Sequence, residues 1–150
     1  MRDTPYVVRG TYLLDFANGL LPLTRPPWGT LAGVNLKTGA LQFGVPLGSM
    51  VDPARFPEAE RWGSISLGGP LMTARGLVFI AATRDNHLRA FDIETGALLW
   101  KSLPPAGAQS TPMSYEIDGT QYVVVCAGGH GKLGTTPGDY VMAFALPRRR

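Results

Sequence analysis

The sequence predicts an all-β protein built from repeated antiparallel sheets, and three observations carry that expectation. Glycine and proline are abundant, 19 and 13 of 150 residues, and they punctuate short runs rich in Val, Leu, Ile, Phe and Tyr. A thirteen-residue segment recurs, LAGVNLKTGALQF at 31–43 returning as LRAFDIETGALLW at 88–100, fifty-seven positions later. The least strand-like stretch, DPARFPEAERWG at 52–63, can hold at most one helical turn because Pro53 and Pro57 interrupt it.

Before residue 29 the pattern is hard to follow, although TYLLDF at 11–16 fits a strand of an earlier unit. Each copy of the recurring segment then makes physical sense as strand, turn, strand. Leu31 and Leu88 correspond, Thr38-Gly39-Ala40-Leu41 matches Thr95-Gly96-Ala97-Leu98, and Asn35/Asp92 and Phe43/Trp100 exchange like for like. Lys37-Thr38-Gly39 and Glu94-Thr95-Gly96 are turns in which glycine takes a positive φ at little cost, and Asn35 or Asp92 accepts hydrogen bonds from the turn amides. The small Ala90, or Gly33, leaves room on the strand face, and Trp100, with Phe43 in the earlier copy, offers an aromatic plate suited to packing between neighbouring sheets.

Ahead of the second copy, Gly69-Pro70-Leu71-Met72-Thr73, a turn at Arg75-Gly76 and LVFIAAT at 77–83 complete four strands. The same order restarts at Ser110, turns at Asp118-Gly119 and continues as QYVVVCA and YVMAFAL, without a fourth strand. The approximate repeats are 6–47, 67–103 and 108–146, followed by a basic tail at 147–150. The period is blade-like, slightly longer than the familiar propeller repeats of about 40 to 50 residues.

With 45% apolar residues the chain can bury a core, so one globular unit is expected. The formal charge of +3 is matched by Arg148-Arg149-Arg150, a tail read as solvated. The remaining charges balance and form no stripe for nucleic acid. The start has no signal-peptide core, and LLDFANGLLPL is too short and too broken by Asp15, Asn18 and Pro22 to span a membrane. The single cysteine, Cys126 within VVVCAG, is expected as a small buried hydrophobe and can form no internal disulfide.

One motif invites a nucleotide-binding reading. Gly129-x-Gly131-x-x-Gly134 has dinucleotide-loop spacing, but a second strand comes next where a helix should open, and Leu133 after Lys132 stands where a P-loop needs Ser or Thr. The loop therefore serves something else. Two histidines do not make a zinc site, and His87 is expected at an exposed strand or loop position.

Ala90-x-Asp92-x-x-Thr95-Gly96-x-x-x-Trp100 resembles the tryptophan-docking motif of the quinoprotein dehydrogenases, propellers that hold pyrroloquinoline quinone (PQQ). GGPLMTARGLVFIAATRDNHLRAFDIETGALLW and LPPAGAQSTPMSYEIDGTQYVVVCAGGHGKLGTTPGDYVMAFALP are similar throughout to the C-terminal part of membrane-type PQQ glucose dehydrogenases, as are Thr4-Pro5-Tyr6 and Pro27-Trp28-Gly29-Thr30. The resemblance implies two to three blades of an eight-bladed propeller. It also implies PQQ on the axis with a calcium or magnesium ion, an alcohol carbon of a sugar or polyol as hydride donor, and a membrane quinone as electron acceptor. The location it implies is periplasmic and membrane-associated.

By the same resemblance the catalytic aspartate and most metal ligands lie upstream, so no catalytic or metal-ligating residue is assigned here and the chain alone is expected to be inactive. Gly128-Gly129-His130 occupies the place of a Gly-Gly-aromatic segment that lies against the cofactor in related alcohol-oxidising quinoproteins. His130 is the candidate cofactor or substrate contact. Asp85-Asn86 resembles an Asp-Asn pair facing the substrate funnel, with turn capping the alternative role. The first docking copy, with Gly33, Asn35 and Phe43, is degenerate, and DPARFPEAERWGSIS at 52–66 departs from the Pro- and Met-rich loop of the glucose enzymes. A second class stays open, a non-catalytic PQQ-repeat scaffold whose partners are proteins. In either class the remaining blades, or other copies of the chain, are expected to cover the exposed sheet faces.

Overall fold

The computed structural model describes residues 14–15 and 21–146. The basic tail and Thr4-Pro5-Tyr6 lie outside the described residues. Among the described residues eleven strands form four antiparallel sheets. A short pair, β1 (Leu14–Asp15) and β2 (Leu21–Pro22), is followed by the pair β3 (Thr30–Val34) and β4 (Leu41–Pro46). After a 3₁₀ turn at Pro57–Arg61 comes a four-stranded sheet, β5 (Leu71–Met72), β6 (Leu77–Ile80), β7 (Leu88–Asp92) and β8 (Leu98–Ser102), in chain order. The last sheet orders β11 (Tyr140–Ala145), β10 (Thr120–Ala127) and β9 (Met113–Ile117). The four strands expected for the second unit stand between 71 and 102, and the last unit has the three that its sequence offers; most residues of the earlier unit expected around TYLLDF lie outside the described residues.

The two sequence copies fold alike down to their hydrogen bonds. In the first, Asn35 Oδ1 accepts from the amides of Lys37 and Thr38 at 2.9 and 3.3 Å; in the second, Asp92 Oδ1 accepts from those of Glu94 and Thr95 at 3.0 and 2.8 Å. Each turn threonine takes the amide two residues on, Ala40 to Thr38 and Ala97 to Thr95, both at 3.2 Å. Gly39 and Gly96 sit at φ 73° and 71°, where a side chain is strained. Both copies carry a bulge at the same point, Gly33/Val34 and Ala90/Phe91.

The small residue of each copy faces its aromatic across the strands, Gly33 opposite Phe43 and Ala90 opposite Trp100. Each ring then reaches the following sheet. Phe43 covers Gly96, where a Cβ would fall among its ring atoms, and Trp100 meets Phe144 of β11 edge-on, centroids 5.5 Å apart. Period-two alternation gives the four-stranded sheet two apolar faces. Val78, Ile80 and Phe91 pack with Leu31 and Leu47 on one side, while Ala81 and Leu88 pack with Ala106, Ala108, Val125 and Ala127 on the other.

Two expectations are corrected. Cys126 is exposed, because alternation along β10 turns Val123, Val125 and Ala127 inward and Cys126 outward. His87 is half-buried in the 81–87 loop rather than exposed, with Nδ1 2.9 Å from the Asp85 carbonyl oxygen.

Candidate functional site

Three connections meet at one end of the last two sheets: the 81–87 loop between β6 and β7, the 103–109 link between those sheets, and the 128–139 loop between β10 and β11. They are laced together by backbone bonds. Ala82 N–H donates to Ala108 O at 2.6 Å, Gly107 N–H to Thr136 O at 2.8 Å, and Gly129 N–H to Gly107 O at 2.8 Å. Within the last loop Gly138 N–H donates to Gly128 O at 3.1 Å. Gly131–Leu133 forms a single 3₁₀ turn closed by Gly134 in the left-handed conformation; no helix opens here to hold a pyrophosphate.

Gly129 owes its identity to the fold. Its φ is 75°, and a Cβ would press into the backbone of Thr136 and Pro137. Gly128 is different. It is exposed, and only Gly138 O, 3.6 Å from the Cβ position, stands near it, so this is the bare surface that a flat ligand can approach. His130 comes next, half-buried, its N–H donating to Thr135 Oγ1 at 2.7 Å. Its Nδ1 is buried and has no partner among the described residues.

Asn86 reaches the same loop from the preceding sheet. It holds φ 60°, and its Nδ2 donates to Thr136 Oγ1 at 2.9 Å across fifty residues of chain. Its Oδ1 is buried and unpartnered, as is Oε1 of Gln109, a residue that sequence reasoning does not single out. Gln109 Nε2 donates to Thr83 O at 3.3 Å. Nothing in the sequence flags it, because an amide in an irregular link has no periodicity to betray it.

Asp85 lies apart from this convergence. Its half-buried carboxylate accepts from Ser49 N–H at 2.9 Å, Thr83 Oγ1 at 2.6 Å, His87 N–H at 3.3 Å and Arg89 Nη1 at 3.1 Å, and pairs with Arg89 Nη2. Burial pushes its pKa up, but the bonds and charge of Arg89, with the Thr83 hydroxyl and the His87 amide, outweigh it and leave the group below its ordinary value. Of the sequence candidates, Gly128, Gly129, His130 and Asn86 are therefore brought together. Asp85 ties the segment that follows β4, at Ser49, to the next sheet instead. It borders a cleft of about 330 Å³ whose charges are mutually paired, Arg89 with Asp85 and Lys101 with Glu60 at 3.8 Å. Ala90, Asp92, Thr95, Gly96 and Trp100 lie in the docking turn and its two strands. Among the described residues no three His, Cys, Asp or Glu side chains converge as a metal site would require.

The family profile of the glucose/ethanol/alcohol dehydrogenase β-propeller domain, a PQQ domain, matches residues 1–123. The chain belongs to this PQQ propeller family. The propeller chain is 47% identical over 131 residues to quinoprotein glucose dehydrogenase of Escherichia coli (strain K12), covering 85% of this chain and 16% of that protein. It is 48% identical over 151 residues to quinoprotein glucose dehydrogenase A of Acinetobacter calcoaceticus (98% and 18%). To the quinate/shikimate dehydrogenase (quinone) of Acinetobacter baylyi it is 40% identical over 154 residues (99% and 19%). The propeller chain thus spans less than a fifth of the length of these curated relatives. Its fold superposes on quinohemoprotein alcohol dehydrogenase from Comamonas testosteroni with TM-score 0.57 at 23% identity, covering 83% of this chain and 17% of that one. Among the described residues no helix is long and apolar enough to cross a membrane.

Proposed function

We propose that the propeller chain is the C-terminal blade segment of a periplasmic, membrane-associated PQQ-dependent dehydrogenase that oxidises an alcohol carbon of a sugar or polyol and passes electrons to a quinone. Its part is to build one side of the cofactor and substrate site from Gly128, Gly129, His130 and Asn86. The observation that supports this most is the convergence of two separate sheets on Thr135-Thr136, with His130 Nδ1 and Asn86 Oδ1 buried and unpartnered beside the bare Gly128. The exposed backbone at Gly128 is the part of this convergence that a flat ligand can lie against.

When bound, PQQ supplies the two-electron acceptor. Gly128 lets the backbone lie close to a planar ring system, and the His130 imidazole donates to, or accepts from, a cofactor oxygen or a substrate hydroxyl. The Asn86 amide, anchored on Thr136, fixes the distance between the two loops. On this reading, which follows the family resemblance, proton abstraction and most calcium or magnesium ligands fall to the rest of the propeller, while Asp85 of this chain is committed to Arg89.

In the full-length protein carrying this segment, His130→Ala should raise KM for the sugar about tenfold or more while kcat falls less, the signature of lost positioning. Unchanged KM and kcat would return His130 to a turn residue without chemistry. A collapse of kcat with KM intact would instead make it a participant in proton transfer.

A further inference from the structure

We propose that Arg89 is a positioning residue for this site, acting through Asp85 on the loop that presents Asn86 to the 128–139 segment; the inference rests on reading that segment as the cofactor face. Arg89 stands on β7, in register between Ile80 and Lys101, on a strand hydrogen-bonded on both sides. The residue is 8% exposed, and from this fixed base its guanidinium grips the neighbouring loop at three residues. It binds both Asp85 oxygens, Thr83 Oγ1 at 3.0 Å and His87 O at 3.4 Å.

The loop needs such a grip. Asn86 N–H to Thr83 O, at 3.2 Å, is the backbone bond closing it, and Ala82 and Asn86 hold φ 67° and 60°. A side chain at Ala82 is strained in that conformation, and Asn86, although asparagine tolerates it better than most residues, still needs its surroundings to hold it there. A buried ion pair contributes little net stability by itself, since desolvation offsets much of the attraction. Its effect here is geometric. With Asp85 fixed to Arg89 on one side and to Ser49 N–H on the other, the next residue, Asn86, is held in the conformation that carries its amide to Thr136. Thr136 O in turn takes Gly107 N–H, and Thr135 Oγ1 takes His130 N–H. The path from Arg89 to His130 is a continuous set of bonds rather than a matter of proximity.

The test is hydrogen exchange on the chain, without cofactor, for Arg89→Met, Arg89→Lys, Asn86→Ala and the Met/Ala double variant. It is paired with PQQ affinity in the full-length protein. Arg89→Met should speed exchange of the 128–139 amides about tenfold while the centre of β10 changes less, and Arg89→Lys, which keeps one bond to Asp85, should stay within about threefold of the parent. The double variant should exchange no faster in that segment than Arg89→Met alone, because both act through Asn86. PQQ affinity should fall about tenfold in Arg89→Met and recover in Arg89→Lys.

Uniformly faster exchange, an unchanged 128–139 segment, or additive effects would overturn the proposal. Lost protection with unchanged PQQ affinity would uphold the clamp and overturn the cofactor-face reading instead. Should Arg89→Met fail to fold, Arg89→Lys and Asn86→Ala measure the same coupling, and a silent Asn86→Ala would sink it.

Discussion

Replacing Gly96 by Ala, beside the same change at Gly39, isolates what holds one sheet to the next. The two glycines close equivalent turns at nearly equal angles, φ 71° and 73°. Both substitutions therefore carry the left-handed penalty, about 1–2 kcal/mol. They differ in surroundings. No described atom lies within 4 Å of a Cβ at Gly39, whereas a Cβ at Gly96 collides with three atoms of the Phe43 ring. Moving that ring costs a further 1–3 kcal/mol, the usual range for overpacking, so Gly96→Ala should cost roughly 2–5 kcal/mol in total. Urea unfolding with an unchanged m-value is the assay. Adding Phe43→Ala supplies the control: with the ring gone, Gly96→Ala should cost no more than Gly39→Ala, a coupling that a double-mutant cycle reads directly. Equal losses at the two glycines would refute the idea that ring-on-turn docking joins the sheets.

The Asp85 pKa is depressed in the folded chain, so its stabilisation is full above the unfolded carboxylate value of about 3.9 and is lost as pH falls through the lower folded value; acid unfolding below pH 4 should flatten in Asp85→Asn. Asp92, lowered chiefly by its Thr95 bonds, titrates with the same sign, and Asp92→Asn run in parallel separates the two. At neutral pH Asp85→Asn leaves Arg89 without its counter-charge and should cost about 3–5 kcal/mol, most of it recovered by adding Arg89→Met. A thiol reagent should titrate Cys126 in the native chain as fast as in urea, since the side chain is exposed; slow native reaction would contradict the alternation along β10. Among the described residues the outer strand β11 pairs with β10 alone and leaves Val141 73% exposed, so sedimentation should show association that rises with concentration and weakens in Val141→Lys.

The repeat is legible in the sequence because its chemistry is local. A carboxylate or amide two or three residues ahead of turn amides, a glycine at positive φ and a small residue opposite an aromatic each leave their mark within thirteen residues, and the structure builds them accordingly. The bond between Asp85 and Ser49 joins residues thirty-six apart, and nothing in either neighbourhood announces it. The face of Cys126 is hidden because VVVCA is apolar on both sides of its pleat, so alternation is present without a polar residue to reveal which side is wet. Gly128 and Gly129 look equivalent in sequence. Only the position of Thr136-Pro137 shows that one is required by packing and the other stands open.

The docking of Phe43 on Gly96 has a direction. A ring from an outer strand goes forward onto the following sheet in both cases, so the giving and receiving surfaces of a sheet are different places, and the joint is head-to-tail rather than self-matching. Such a joint carries no information about how many sheets should succeed one another. That number is set by the small rotation each joint imposes, and a change at Phe43 or Trp100 that altered the rotation by a few degrees would accumulate around the assembly.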